Sequence, residues 1–311
     1  MEMFCYQCEQ TAKGSGCTAM GVCGKTPQQA ALQDLILHQL KGIGYIAHAL
    51  GSSRPKGTDD FVQQALFSIV TNVNFDDERL AKLVWQAREL KDRLFALYAE
   101  PAPQAVRFIP AENMAALLDQ AAMVGIAGDF ENEDIRSLMH LLTYGLKGMA
   151  AYAHHARRLG KEDEEVNAFF HEALAALTTK DLDMEGWVAI NMRCGEINIK
   201  CMELLDAGHT ERFGHPEPTT VSTRRRAGPA IIVSGHDLLD LEALLKQTEG
   251  TGIKVYTHGE MLPALAYPGL KKYKHLVGHF GTAWQNQQKE FDNLPAAILF
   301  TTNCIQKPKA S

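Results

Sequence analysis

PAIIVSGHDLLDLEALLKQTEGTGIKVYTHGE, residues 229–260, reads as a strand, a helix and a second strand. Ile231-Ile232-Val233 and Ile253-Lys254-Val255-Tyr256 are short β-branched runs, and Leu238–Gln247 between them has helical periodicity. A strand, helix and strand in succession are the repeating unit of a parallel sheet. Ala297-Ile298-Leu299-Phe300 has the look of another buried parallel strand. Residues 229–311 are therefore expected to form a partial, Rossmann-like α/β domain.

Upstream, residues 211–228 form a polar connection. His215, Pro216, Glu217 and Pro218 interrupt any periodic pattern, and Arg224-Arg225-Arg226 reads as a solvated hinge. Before it the pattern is helical from Thr26 to about Gly208. Thr26-Pro27 supplies an N-cap with proline at the first helical position, and Leu32, Leu35, Ile36, Leu40 and Ile43 follow at helical spacing. Further helices are expected over 60–72, 77–99, 112–123, 132–159, 163–178 and 183–206. Leu40-Lys41-Gly42 leading to Ala47-His48-Ala49 resembles Leu146-Lys147-Gly148 leading to Ala153-His154-His155, and each is followed by an Ala-Leu pair, Ala65-Leu66 and Ala173-Leu174. This self-similarity predicts a duplicated three-helix bundle over 26–210. The fold class expected is multidomain, α then α/β, with residues 1–25 a cysteine-rich segment apart from both.

Composition bounds the function. The chain has 311 residues, 46% hydrophobic and 22% charged, enough for two cored domains. Its net charge of -6 and pI near 6.1 argue against nucleic acid. No apolar run approaches the ~18–20 residues of a membrane span, and the sequence enters Met3-Phe4-Cys5 with no leader-like segment. No membrane association is expected, and the cytoplasm is the expected compartment. Four of the seven cysteines fall within the first 23 residues. That clustering favours metal ligation by reduced thiols over a disulfide framework.

Those four follow the pattern Cys5-x2-Cys8-x8-Cys17-x5-Cys23, with Gly14, Gly16, Gly21 and Gly24 interleaved so that the backbone can wrap closely and aim N–H groups at sulfur. The spacing matches neither the paired knuckles of a zinc ribbon nor the bacterial ferredoxin run, so it leaves zinc and an iron–sulfur cluster both open. A second constellation follows the expected strands: Ser234-Gly235-His236, Thr257-His258-Gly259-Glu260 and Thr302-Asn303-Cys304. Residues just past the carboxyl ends of parallel strands converge on a ligand crevice, so an imidazole, a carboxylate and a thiolate would meet there. Such a mixed set suits an iron cluster with sulfur-rich and oxygen- or nitrogen-rich irons. Helix capping is the competing reading of each residue alone. Cys194 and Cys201, seven apart on one expected helix, read as core thiols, and His48, His154 and His155 as structural. His258 and His279 are either supporting donors or structural.

The chain also resembles a known family, the hybrid cluster or prismane proteins. The likeness lies in Met3-Phe4-Cys5-Tyr6-Gln7-Cys8-Glu9-Gln10-Thr11, Gly16-Cys17-Thr18 and Gly21-Val22-Cys23-Gly24-Lys25. It continues in Leu32-Gln33-Asp34-Leu35, Ser234-Gly235-His236-Asp237, His258-Gly259-Glu260-Met261, the run 282–287 and Thr301-Thr302-Asn303-Cys304. The short cysteine spacing is similar to that of members carrying [4Fe-4S], which the resemblance assigns to Cys5, Cys8, Cys17 and Cys23. It further implies that His236, Glu260 and Cys304 are ligands, and so catalytic residues, of a hybrid [4Fe-2O-2S] cluster in the intact protein. The implied activity is reduction of hydroxylamine to ammonia and water, with nitric oxide as another substrate and a redox partner protein as electron donor. Family members continue past the position of Cys304 with further ligands. The expectation is an N-terminal part of such an enzyme, inactive alone, with a non-catalytic electron-transfer fragment or a carbon monoxide dehydrogenase-like enzyme as alternatives.

Overall fold

A computed structural model describes residues 3–70, 72–125 and 132–309. Contacts within the chain divide it into two units, residues 1–70 with 74–205 and residues 71–73 with 206–311.

The first unit is helical: α1 (Pro27–Leu50), α2 (Thr58–Ser68), α3 (Asp77–Phe95), α4 (Gln104–Arg107), α5 (Met114–Ala121), α6 (Glu133–Arg158), α7 (Glu164–Thr179) and most of α8 (Met184–Phe213). The starts are where the capping residues put them. Thr26 accepts from the Gln29 N–H while the Gln29 side chain accepts from the Thr26 N–H, a reciprocal box. Asp76, Asn113, Asn132 and Asp163 cap α3, α5, α6 and α7 by accepting from first-turn N–H groups. Helix ends are less legible. α3 stops at Phe95 rather than 99, and α8 runs on to Phe213 because no breaker intervenes before Gly214, at φ +83.

α1 is the centre of this unit. Leu32, Leu35, Ile36, Leu40, Ile43 and Ile46 are fully buried, each contributing roughly 1.5–3 kcal/mol of burial. Apolar on most of its circumference, it packs on α3 and α7 and also touches α2, α4 and α5. The two similar segments fall on α1 and α6, and their Ala-Leu pairs on α2 and α7. The copies do not close separately: α1 lies on α7 and α2 on α6, so they share one core. At Gly44 a Cβ would come within 2.3 Å of the Leu174 Cβ, which is why the α1–α7 crossing needs glycine there. No described helix is long and apolar enough to cross a membrane.

The second unit holds a four-stranded parallel sheet in the order β3-β2-β1-β4, from β1 (Ala230–Ser234), β2 (Lys254–His258), β3 (Leu276–Phe280) and β4 (Ala297–Phe300). Between β1 and β2 runs α9 (Leu238–Thr248), capped by Asp237. A 3-10 helix (Gly259–Ala266) and α10 (Pro268–Lys271) precede β3, and α11 (Gln287–Glu290) precedes β4. β3 is an element the sequence reading did not anticipate, since Gly278 and His279 break its apolar run. β1 leads to β2 on one side and pairs with β4 on the other. This is the switch in strand order at which open α/β sheets form their crevice.

Candidate metal centres

The N-terminal loop folds back on itself. Cys5 and Cys17 exchange backbone hydrogen bonds of 3.1 and 2.8 Å, and Met3 donates to the Thr18 carbonyl. Met3, Cys17 and Ala30 are buried together, tying the loop to the start of α1. Gly16 leaves room for the Phe4 ring, which a Cβ there would meet at 2.6 Å and push aside. All seven cysteines are free thiols.

Donors surround these sulfurs. The Ala12 N–H reaches Cys17 Sγ at 3.4 Å and the Thr11 hydroxyl lies 3.7 Å from it. Burial would push the Cys17 thiol up, but the Ala12 and Val22 N–H groups, Thr11 and the Lys25 ammonium outweigh it and draw the thiol below its usual range. Burial raises Cys23, and the charges of Cys5 and Cys8 add to the rise. Having Cys23 close enough to Cys5 and Cys8 to feel their charge, with donors aimed at Cys17 and Cys5, suits a cationic centre. Lys25 Nζ and Gln7 Nε2 each lie 3.8 Å from Cys5 Sγ. Cys194 and Cys201 are elsewhere, buried on α8, and burial pushes their thiols up to about 11 and about 12. They are inert core thiols.

The second candidate centre lies in the second unit. His236 follows β1, Glu260 follows β2 and Cys304 follows β4. Their ligand atoms all lie within 4.8 Å of one another, the one such trio among the described residues. His236 Nε2 is 2.6 Å from Glu260 Oε2, and the Cys304 thiol donates to the same oxygen at 3.0 Å. His236 beside it holds the Glu260 carboxyl down to about 2, against partial burial and with help from Cys304. His236 Nδ1 is buried and has no hydrogen-bond partner among the described residues. An orphaned imidazole nitrogen beside a carboxylate and a thiol fits a metal-binding donor set.

The turns are braced against each other. Thr302 Oγ1 accepts from the His236 N–H at 2.9 Å, and the Thr301 N–H donates to the Ser234 carbonyl at 3.0 Å. Gln287 donates to the Cys304 carbonyl at 2.7 Å and accepts from the Gln306 N–H at 2.8 Å, clamping the Cys304 loop. Below, Ser234, His258 and Glu290 form a chain, with Ser234 Oγ 3.0 Å from His258 Nδ1 and Glu290 Oε2 2.9 Å from His258 Nε2. Burial draws His258 below the usual histidine range despite Glu290. The supporting roles of Gln287 and Glu290 were missed in the sequence. A glutamine two percent exposed is their signal, and exposure is not visible there.

The profile of the Prismane/CO dehydrogenase family matches residues 3–311. The chain belongs to that family. It is a family of iron–sulfur proteins. Among curated relatives, the hydroxylamine reductase of Syntrophobacter fumaroxidans is 53% identical over 99% of this chain and 58% of its own length. That of Methanocella arvoryzae is 52% identical over 99% and 59%, and that of Geobacter metallireducens 50% over 100% and 59%. The chain thus spans under two thirds of the length of the relatives it matches.

Proposed function

We propose that this chain is part of a cytoplasmic iron–sulfur oxidoreductase that reduces hydroxylamine to ammonia and water, with nitric oxide as a further substrate. The observation that carries the reading is the convergence of His236, Glu260 and Cys304 past the carboxyl ends of β1, β2 and β4 in a member of this family. The relatives' shared name favours hydroxylamine over carbon monoxide as substrate class.

Cys5, Cys8, Cys17 and Cys23 would hold a [4Fe-4S] cluster. Membership of the Prismane/CO dehydrogenase family, a family of iron–sulfur proteins, favours a cluster over a single zinc at these four thiols. His236, Glu260 and Cys304 would supply part of the ligand set of a hybrid [4Fe-2O-2S] cluster. When bound, the first group would supply one-electron transfer with a redox partner protein as donor, and the second would supply electrons for cleavage of the N–O substrate. The chain's own residues do the positioning. Glu260 and His236 fix one another through their 2.6 Å contact, Gln287 fixes the loop that presents Cys304, and the Ser234–His258–Glu290 chain holds the β1 and β2 turns in register.

The overall reaction is balanced by two electrons and two protons, giving NH3 and H2O from NH2OH. Anaerobic turnover of the whole protein with a reduced low-potential dye tests it. The expected result is ammonium formed at one equivalent per two electrons, lost in Glu260→Ala with the N-terminal iron retained. Dye oxidation without ammonium, or full turnover in that variant, would contradict the reading.

A further inference from the structure

Lys25 is one percent exposed, yet its ammonium is held by Gln33 Oε1 at 2.7 Å and by Cys5 Sγ at 3.8 Å. Lys147, three percent exposed, donates to Gln7 Oε1 at 3.3 Å, and the amide nitrogen of the same Gln7 faces Cys5 Sγ at 3.8 Å. One cation thus touches the sulfur directly and the other acts through a polarised carboxamide. Neither has a carboxylate at ion-pair distance among the described residues, and the buried Asp34 carboxyl acts on both through space. One carboxylate does not balance two buried ammoniums, so this interior needs further negative charge nearby. A cluster held by four thiolates provides it. Each electron it accepts makes it more negative.

We infer that Lys25 and Lys147 set the reduction potential of the cluster on Cys5, Cys8, Cys17 and Cys23, by placing two buried positive charges on its Cys5 side. The inference rests on the functional reading above. Reduction takes one electron from an external low-potential donor and forms or breaks no bond at either lysine. A unit charge ~7 Å from the cluster in a medium of effective dielectric ~20 changes the redox equilibrium tenfold or more. For a one-electron couple a tenfold change is about 59 mV. The charges are buried, so the effect should survive high salt.

The experiment is a potentiometric titration of the whole protein, followed by the electron paramagnetic resonance of the reduced cluster, with iron and acid-labile sulfide measured alongside. Lys25→Gln should lower the midpoint by at least the tenfold equivalent, at low and high salt alike. Lys147→Gln should lower it by less, and Lys25→Arg should stay near wild type. Lys200→Gln, at a surface lysine paired with Asp163 and Glu165, should leave it unchanged. Fully loaded Lys25→Gln and Lys147→Gln at the wild-type potential would overturn the inference. If Lys25→Gln fails to take up iron, Lys147→Gln decides, and loss of the cluster from both means a purely structural role and also overturns it. Wild-type protein without iron is a separate outcome, and it removes the functional reading instead.

Discussion

Asp59, on α2, accepts from Arg54 Nε at 2.6 Å and lies 2.7 Å from Nε2 of the buried His171 on α7, while Arg54 also reaches Glu164 at 2.6 Å. Burial would raise the Asp59 carboxyl, but the bonds from His171 and Arg54 prevail and hold it down to about 2. Its folded value is therefore below its unfolded one, so the stability it contributes is present above about pH 3.8 and is lost as pH falls towards 2. His171 is depressed by burial, so its own contribution also fades on acidification, beginning below about 6.5. Asp59→Asn should cost roughly 2 kcal/mol at pH 7, less than a fully buried pair because Arg54 keeps Glu164. Its stability should also fall less steeply than wild type between about pH 5 and 3. Urea denaturation across that range checks both, and an unchanged acid limb would contradict the assignment. The four clustered cysteines were legible at this scale because thiols so dense have few other uses. Lys25 and Lys147 were not, since a buried cation is recognised by its partners, and Gln7 lies 140 positions from Lys147.

Among the elements, the helix starts and the unit from β1 through α9 to β2 were readable, because capping residues and β-branched runs act locally. The sharing of one core by α1, α2, α6 and α7 was not, since the repeat specifies which faces are apolar and not which helix covers them. The turn after β1 shows what local chemistry cannot reveal. Gly235 has φ +117, and a Cβ there would stand 2.3 Å from Thr301 Oγ1 and 2.8 Å from the Thr302 nitrogen, on the turn that carries Cys304. Gly235→Ala combines left-handed strain with a steric clash and should cost roughly 3 kcal/mol. Gly250→Ala, at φ +75 with nothing within 4 Å, should cost about 1 kcal/mol from strain alone. Equal losses in the two, read from denaturation midpoints, would mean that the packing of the β1 and β4 turns does not matter.

At the scale of the whole molecule, the helical unit carries the four-cysteine loop and the α/β unit carries the His236, Glu260 and Cys304 trio. The order of helices before strands was visible in the sequence, and so was the meeting of His236, Glu260 and Cys304 past the strand ends. The spacing of Cys5, Cys8, Cys17 and Cys23 left zinc and iron both open, because spacing fixes the number of thiolates without fixing how far apart they are held. The metal content of the N-terminal centre is therefore the central claim. Anaerobically purified protein should contain iron and acid-labile sulfide in equal amounts, about four of each at this site as four thiolates require, and Cys17→Ser should lose them. Stoichiometric zinc with neither iron nor sulfide would contradict the account.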